Sequence, residues 1–155
     1  MRQIILYLED DASMRSHTTG LLMENGYDVE DFRRIDQVLE FFPEHQNEIV
    51  CVITDLNMAD EWLAEFQDES YGCMLSGWVW LQRFVYRAVP NMPTIIYSGY
   101  INDLKDYLQS MRQLPMLKKP NIFCVEKGDS EEVEGFSGLL KTLQEKLKIR
   151  GIKPT

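Results

Sequence analysis

Short apolar runs alternate along this chain with stretches in which apolar residues return every three or four positions. The runs Ile4 to Leu8, Val50 to Ile53, Thr94 to Tyr97 and the pair Met116-Leu117 suit strands buried on both faces, and Tyr27 to Phe32 is a more polar strand candidate. Between them the helical spacing is regular. Met14, Thr18, Leu21 and Leu22 form one stripe that Asn25-Gly26 closes, and Ile35, Val38, Leu39 and Phe42 form a second that ends near Pro43. Trp78, Leu81, Val85 and Ala88 precede Pro90; Ile101, Leu104, Leu108 and Met111 precede Pro115. A last helix, over about 130-150, carries Phe136, Leu140, Leu143 and Leu147.

Strands alternating with helices call for right-handed crossovers, hence a parallel sheet covered on both faces. The expectation is an α/β chain: a flavodoxin-like (βα)5 three-layer sandwich with strand order 2-1-3-4-5. In such a sheet a site belongs outside the carboxyl ends of the strands, where the order reverses between strands 1 and 3. The 155 residues are read as one domain. One segment breaks the alternation. Residues 59-76 hold Asp60, Glu61, Glu65, Asp68 and Glu69 with no basic residue, and Trp62 and Phe66 at i, i+4 spacing fit a short amphipathic helix.

Composition narrows the function. A formal charge of −9 repels polyphosphate backbones, so no direct nucleic-acid binding is expected. Cys51, Cys73 and Cys124 lack Cys-x-x-Cys spacing, which offers neither a disulfide framework nor a zinc site and suits a reducing cytoplasm. Glu9, Asp10 and Asp11 interrupt the first apolar run too early for a signal-peptide core or a membrane span.

The expected strand ends deliver Glu9-Asp10-Asp11, Asp55, Ser98 and Lys119 to one edge of the sheet. Clustered carboxylates repel one another unless a cation sits among them, and hard oxygen ligands favour magnesium or calcium. A carboxylate beside such an ion can attack a phosphoryl donor, with the metal and a lysine ammonium neutralising the transferring oxygens. Taken singly, the acidic triplet is equally a helix N-terminus, Asp55 a turn residue and Lys118-Lys119 an exposed pair. Their joint placement at successive strand ends is what points to a site.

These residues resemble the response-regulator receiver domains of two-component signalling. The likeness is carried by Leu8-Glu9-Asp10-Asp11-Ala12-Ser13-Met14-Arg15, by Asp55-Leu56-Asn57-Met58, by Gly77, by Pro93 to Gly99, and by Leu117-Lys118-Lys119-Pro120. The resemblance implies a phosphoacceptor at Asp55, Mg2+ held by Glu9, Asp10, Asp55 and the backbone carbonyl of Asn57, a hydroxyl partner in Ser98, a conserved lysine in Lys119 and a cis Lys119-Pro120 bond. The sequence departs from the family at Ala59, where a proline is usual, in the insertion before Gly77, and at Met116, where a switching aromatic residue commonly stands three positions before the lysine. Asn121 to Ser130 is longer than the family's usual entry into its last helix.

The implied partners are a sensor histidine kinase or histidine phosphotransfer protein and an effector protein. The stretch after Lys119 has room for one helix and a tail, so output is expected through protein contacts rather than DNA. The resemblance describes a signalling receiver, not a turnover enzyme. Two other readings stay open: a magnesium-dependent aspartyl-phosphate hydrolase, and a pseudo-receiver that binds a partner without phosphorylation. Against the hydrolase, Asp10-Asp11-Ala12-Ser13 lacks the Asp-x-Asp spacing of haloacid-dehalogenase-like phosphatases.

Overall fold

The computed structural model describes residues 2–58, 75–128 and 133–151. Most of the acidic insertion, residues 59–74, falls outside them. Five strands, β1 (Ile4–Leu8), β2 (Asp28–Phe32), β3 (Ile49–Thr54), β4 (Thr94–Ser98) and β5 (Ile122–Glu126), form one parallel sheet in the order β2-β1-β3-β4-β5. The flavodoxin-like expectation holds.

Helices α1 (Ala12–Glu24) and α5 (Val133–Lys141) cover one face, and α2 (Ile35–His45), α3 (beginning at Ser76–Trp80) and α4 (Ile101–Ser110) the other. Alternation along the strands divides the core accordingly. Ile4, Leu6, Leu8, Val52 and Ile96 meet α2, α3 and α4, whereas Ile5, Tyr7, Cys51, Ile53, Ile95 and Tyr97 meet α1 and α5. β1 is buried along its whole length, and each large apolar side chain buried there contributes roughly 1.5–3 kcal/mol over its exposed state. β2, an edge strand, is more polar, and Arg2 clamps its outer side through Asp28 and Glu30.

The helices need refinement and one strand needs correction. α2 ends near Pro43, two residues past it at His45, because proline's fixed φ is helical even though the residue forgoes its own hydrogen bond to the preceding turn. α3 is not uniform: it passes into a π-helical segment, Leu81–Val85, before a last turn at Tyr86–Ala88. The fifth strand is not at Met116-Leu117. Those residues lie in a 3-10 helix, Leu114–Lys118, opened by Pro115, and the strand is the apolar run that follows Pro120. The long entry expected into the last helix, Asn121 to Ser130, therefore contains strand β5, and residues 129 and 130 lie outside the described residues.

Candidate functional site at the carboxyl edge of the sheet

The register sets Leu8 opposite Thr54, Thr54 opposite Ile96 and Ser98 opposite Glu126. Residues just past β1, β3 and β5 consequently emerge side by side. Asp55 N–H donates to the Leu8 carbonyl at 3.1 Å, and Glu9 N–H to that of Phe32 at 3.0 Å. Arg15, one turn into α1, donates to the Glu9 carbonyl at 2.8 Å. These bonds hold both carboxylate-bearing residues at the switch point between β1 and β3.

The acidic triplet divides by role. Glu9 turns inward, with its side chain 1% exposed, whereas Asp10 is exposed. Asp11 caps α1 by accepting from Met14 N–H at 2.9 Å, the helix-terminus role open to it from sequence alone. Oxygens of Glu9, Asp10 and Asp55 lie within 4.8 Å of one another. Magnesium bonds of about 2.0–2.1 Å put opposite ligands about 4.2 Å apart, so little closing of the set would be needed, and calcium's longer bonds would span it. The donor set, all hard oxygen, fits either ion.

The cation at the site is Lys127. Its Nζ donates to Glu9 Oε2 and to Asp55 Oδ2, both at 2.8 Å, with its side chain 13% exposed. Asp55 is also buried, and its Oδ1 accepts from Leu56 N–H at 2.7 Å. Burial pushes the Glu9 carboxyl up to about 8, the charge of Asp55 adds to this, and Lys127 pulls the other way. Burial disfavours the Lys127 charge, but Asp55 and Glu9 outweigh it and hold the ammonium above its ordinary value.

The loop after Asp55 is fastened to the start of α3. Ser76 Oγ lies 2.9 Å from each of Met58 N, the Leu56 carbonyl and the Met58 carbonyl, and Gly77 N–H donates to the Leu56 carbonyl at 2.9 Å. A Cβ on Gly77 would run into the Asp55 carbonyl oxygen, so that approach requires glycine.

No protein-family model matches the chain, and no curated protein matches it. Solved structures do. A response-regulator receiver domain protein from Clostridium thermocellum aligns with a TM-score of 0.60 at 20% identity, covering 94% of each chain. This is the fold of a response-regulator receiver. A CheY-like receiver domain protein from Methanospirillum hungatei aligns at 0.57 and 19% identity over 96% of this chain and 95% of that one. The receiver domain of the hybrid histidine kinase CckA aligns at 0.52 and 18% over 90% and 96%. At such identities the likeness is one of fold.

Within this receiver fold, Glu9, Asp10 and Asp55 come together, and Ser98 ends the adjacent strand fully buried, its Oγ accepting from Tyr100 N–H at 3.1 Å. Asn57 lies in the loop two positions past Asp55, half-buried. Lys119 is not at the site. It precedes β5, at the opposite end of the strand from Lys127, with about 16 Å of extended chain between Ile122 and Lys127 alone. The Lys119-Pro120 bond is not cis. Sequence reasoning misses Lys127 because the Lys119-Pro120 pair matches the family motif upstream of it. The signal that finds it is the run Ile122-Phe123-Cys124-Val125, a longer strand candidate than Met116-Leu117, which ends two residues before it. The position three residues before the lysine thus passes from Met116 to Cys124, which is also not aromatic.

Proposed function

We propose that the chain is a phosphoacceptor receiver of a two-component phosphorelay, in which Asp55 takes a phosphoryl group in a magnesium-dependent reaction. The observation that carries this reading is a buried aspartate and a second buried carboxylate bridged by one ammonium, at the carboxyl edge of the sheet where an exposed third carboxylate completes a hard-oxygen set. An Asp55 carboxylate oxygen forms a bond to phosphorus as the donor's bond from phosphorus to its leaving group breaks, P–N in a phosphohistidine and P–O in acetyl phosphate, and the leaving group departs with that electron pair. Glu9, Asp10, Asp55 and the Asn57 carbonyl would hold Mg2+, which supplies positive charge to the transferring oxygens. Lys127 takes the role expected of Lys119: once Asp55 has become an acyl phosphate, the ammonium can exchange the Asp55 oxygen for a phosphoryl oxygen. Ser98 adds a hydroxyl donor from β4.

The added charge then alters the loops around Asp55, and the altered surface is what an effector protein reads. A sensor histidine kinase or histidine phosphotransfer protein is the donor this chemistry suits, in the cytoplasm. Among the described residues no helix is long and apolar enough to cross a membrane. Mass spectrometry after incubation with acetyl phosphate and Mg2+ tests the proposal. The expected result is one labile phosphoryl group per chain, absent in Asp55→Ala. Labelling of Asp55→Ala refutes the assignment, continuous release of phosphate from small esters favours the hydrolase, and a chain that never labels is a pseudo-receiver.

A further inference from the structure

Lys127 directly follows the last residue of β5, and its N–H donates to the Ser98 carbonyl at 3.1 Å. The backbone beside it also meets α5. A Cβ built on Gly135, in the first turn of that helix, would lie 2.8 Å from the Gly128 backbone nitrogen, 3.1 Å from the Tyr97 hydroxyl and 3.6 Å from the Glu126 carbonyl oxygen. The first separation is closer than real Cβ contacts come, and the atom on the other side is backbone rather than the yielding end of a flexible side chain. Helix α5 therefore comes against the Gly128 backbone at a distance that only glycine permits, and lies within ordinary contact of the Glu126 carbonyl on the other side of Lys127. Tyr97 closes the same corner: it is buried on β4, paired in register with Val125, and its hydroxyl reaches the point where a 135 side chain would begin. Gly138, one turn along the same helix, is different in kind, since a Cβ there would meet only a methyl of Val125 at 3.3 Å.

We propose that Gly135, with the Tyr97 hydroxyl packed beside it, forms a seat for the Gly128 backbone and that both are positioning residues for the Lys127 ammonium. A Cβ at 135 forces Gly128 away from α5. The displacement passes through one peptide to Lys127, whose long side chain then loses the geometry that places Nζ at 2.8 Å from both Glu9 and Asp55. The functional consequence rests on the phosphoacceptor reading: misplacement by about 1 Å costs up to about 100-fold in rate.

The seat is tested first without metal or donor. In isotope-labelled protein the Lys127 Cε resonance, assigned by its loss in Lys127→Met, should move toward the exposed lysines in Gly135→Ala and stay in place in Gly138→Ala. With acetyl phosphate and Mg2+, Gly135→Ala should slow phosphorylation by roughly 10- to 100-fold. Added to Lys127→Met it should cause no further loss, because the two act through one group. A folded Gly135→Ala with an unmoved resonance overturns the proposal, as does a full additional loss in the Lys127→Met background. If Gly135→Ala does not fold, Tyr97→Phe carries the test: a moved Lys127 resonance supports the seat and an unchanged one refutes it. Should the parent protein take no phosphoryl group, the phosphoacceptor reading fails while the resonances still decide the seat.

Discussion

An ammonium that touches two buried carboxylates offsets their repulsion and, on the proposed phosphoacceptor reading, holds a positive charge where the phosphoryl group would arrive. Lys127 does this for Glu9 and Asp55, whereas Lys119 and Lys118 line a groove near the start of β5. The two lysines therefore give opposite expectations. Lys127→Met should slow acetyl-phosphate labelling of Asp55 by about 10²–10³, the usual loss when a preorganised electrostatic donor is removed. Lys119→Met should leave the rate unchanged. Initial rates followed by intact-mass measurement separate them, and a Lys119→Met protein as slow as Lys127→Met would return the role to Lys119. Asp11→Asn is a further residue-scale test: asparagine caps a helix as aspartate does, so stability and Mg2+ affinity should both hold. In Asp10→Asn, by contrast, titration calorimetry should find Mg2+ affinity lowered.

At the scale of elements, what was legible depended on how local the signal was. β1, β3 and β4 are uninterrupted apolar runs, so their carboxyl ends, and with them Glu9, Asp55 and Ser98, could be read directly. β5 could not be read from a motif: Met116-Leu117 lies between Pro115 and Pro120, surroundings that suit a 3-10 turn better than a strand, and the Lys-Pro pair drew attention there. Contacts between distant segments left no sequence period at all. The Ser76 clamp joins residues 18 and 20 positions apart, and the glycine seats at 77 and 135 exist only once a helix has packed on a strand exit. Gly77→Ala accordingly should be costly out of proportion to one methyl group. Its Cβ meets the Asp55 carbonyl oxygen, and forcing atoms into packed structure costs typically 1–3 kcal/mol. Urea denaturation should show a loss of that size or more, against a gain of roughly 0.5–1 kcal/mol for Gly20→Ala, an exposed position inside α1 with open space around it. An unaltered midpoint in Gly77→Ala would mean that α3 withdraws from Asp55 without penalty.

For the whole molecule, the site stores a tension that pH should reveal. Two apolar cores fasten the sheet on both faces, so Glu9 cannot relax toward solvent when it ionises. In the metal-free protein its pKa stands near 8, above the ordinary 4.5, with burial the largest cause and Asp55 the next. The folded state then holds a proton that the unfolded chain has released, and stability must fall as pH rises through that interval. The contribution is fully present below about 4.5 and gone above about 8. Asp28 works in the opposite sense, since hydrogen bonding to Arg2 holds its carboxyl below the ordinary 3.8, but that effect lies beneath this window. A divalent ion on Glu9, Asp10 and Asp55 favours their ionised forms, so it should bind more tightly at high pH and stabilise the protein by mass action. Thermal melts in chelator should therefore decline from pH 5 to pH 8, with Mg2+ raising the midpoint most at pH 8 and flattening the profile. Glu9→Gln should remove most of the slope in chelator. A metal-free midpoint that is level or rises across this range, or a slope that survives Glu9→Gln, would show that Glu9 is not the group under tension.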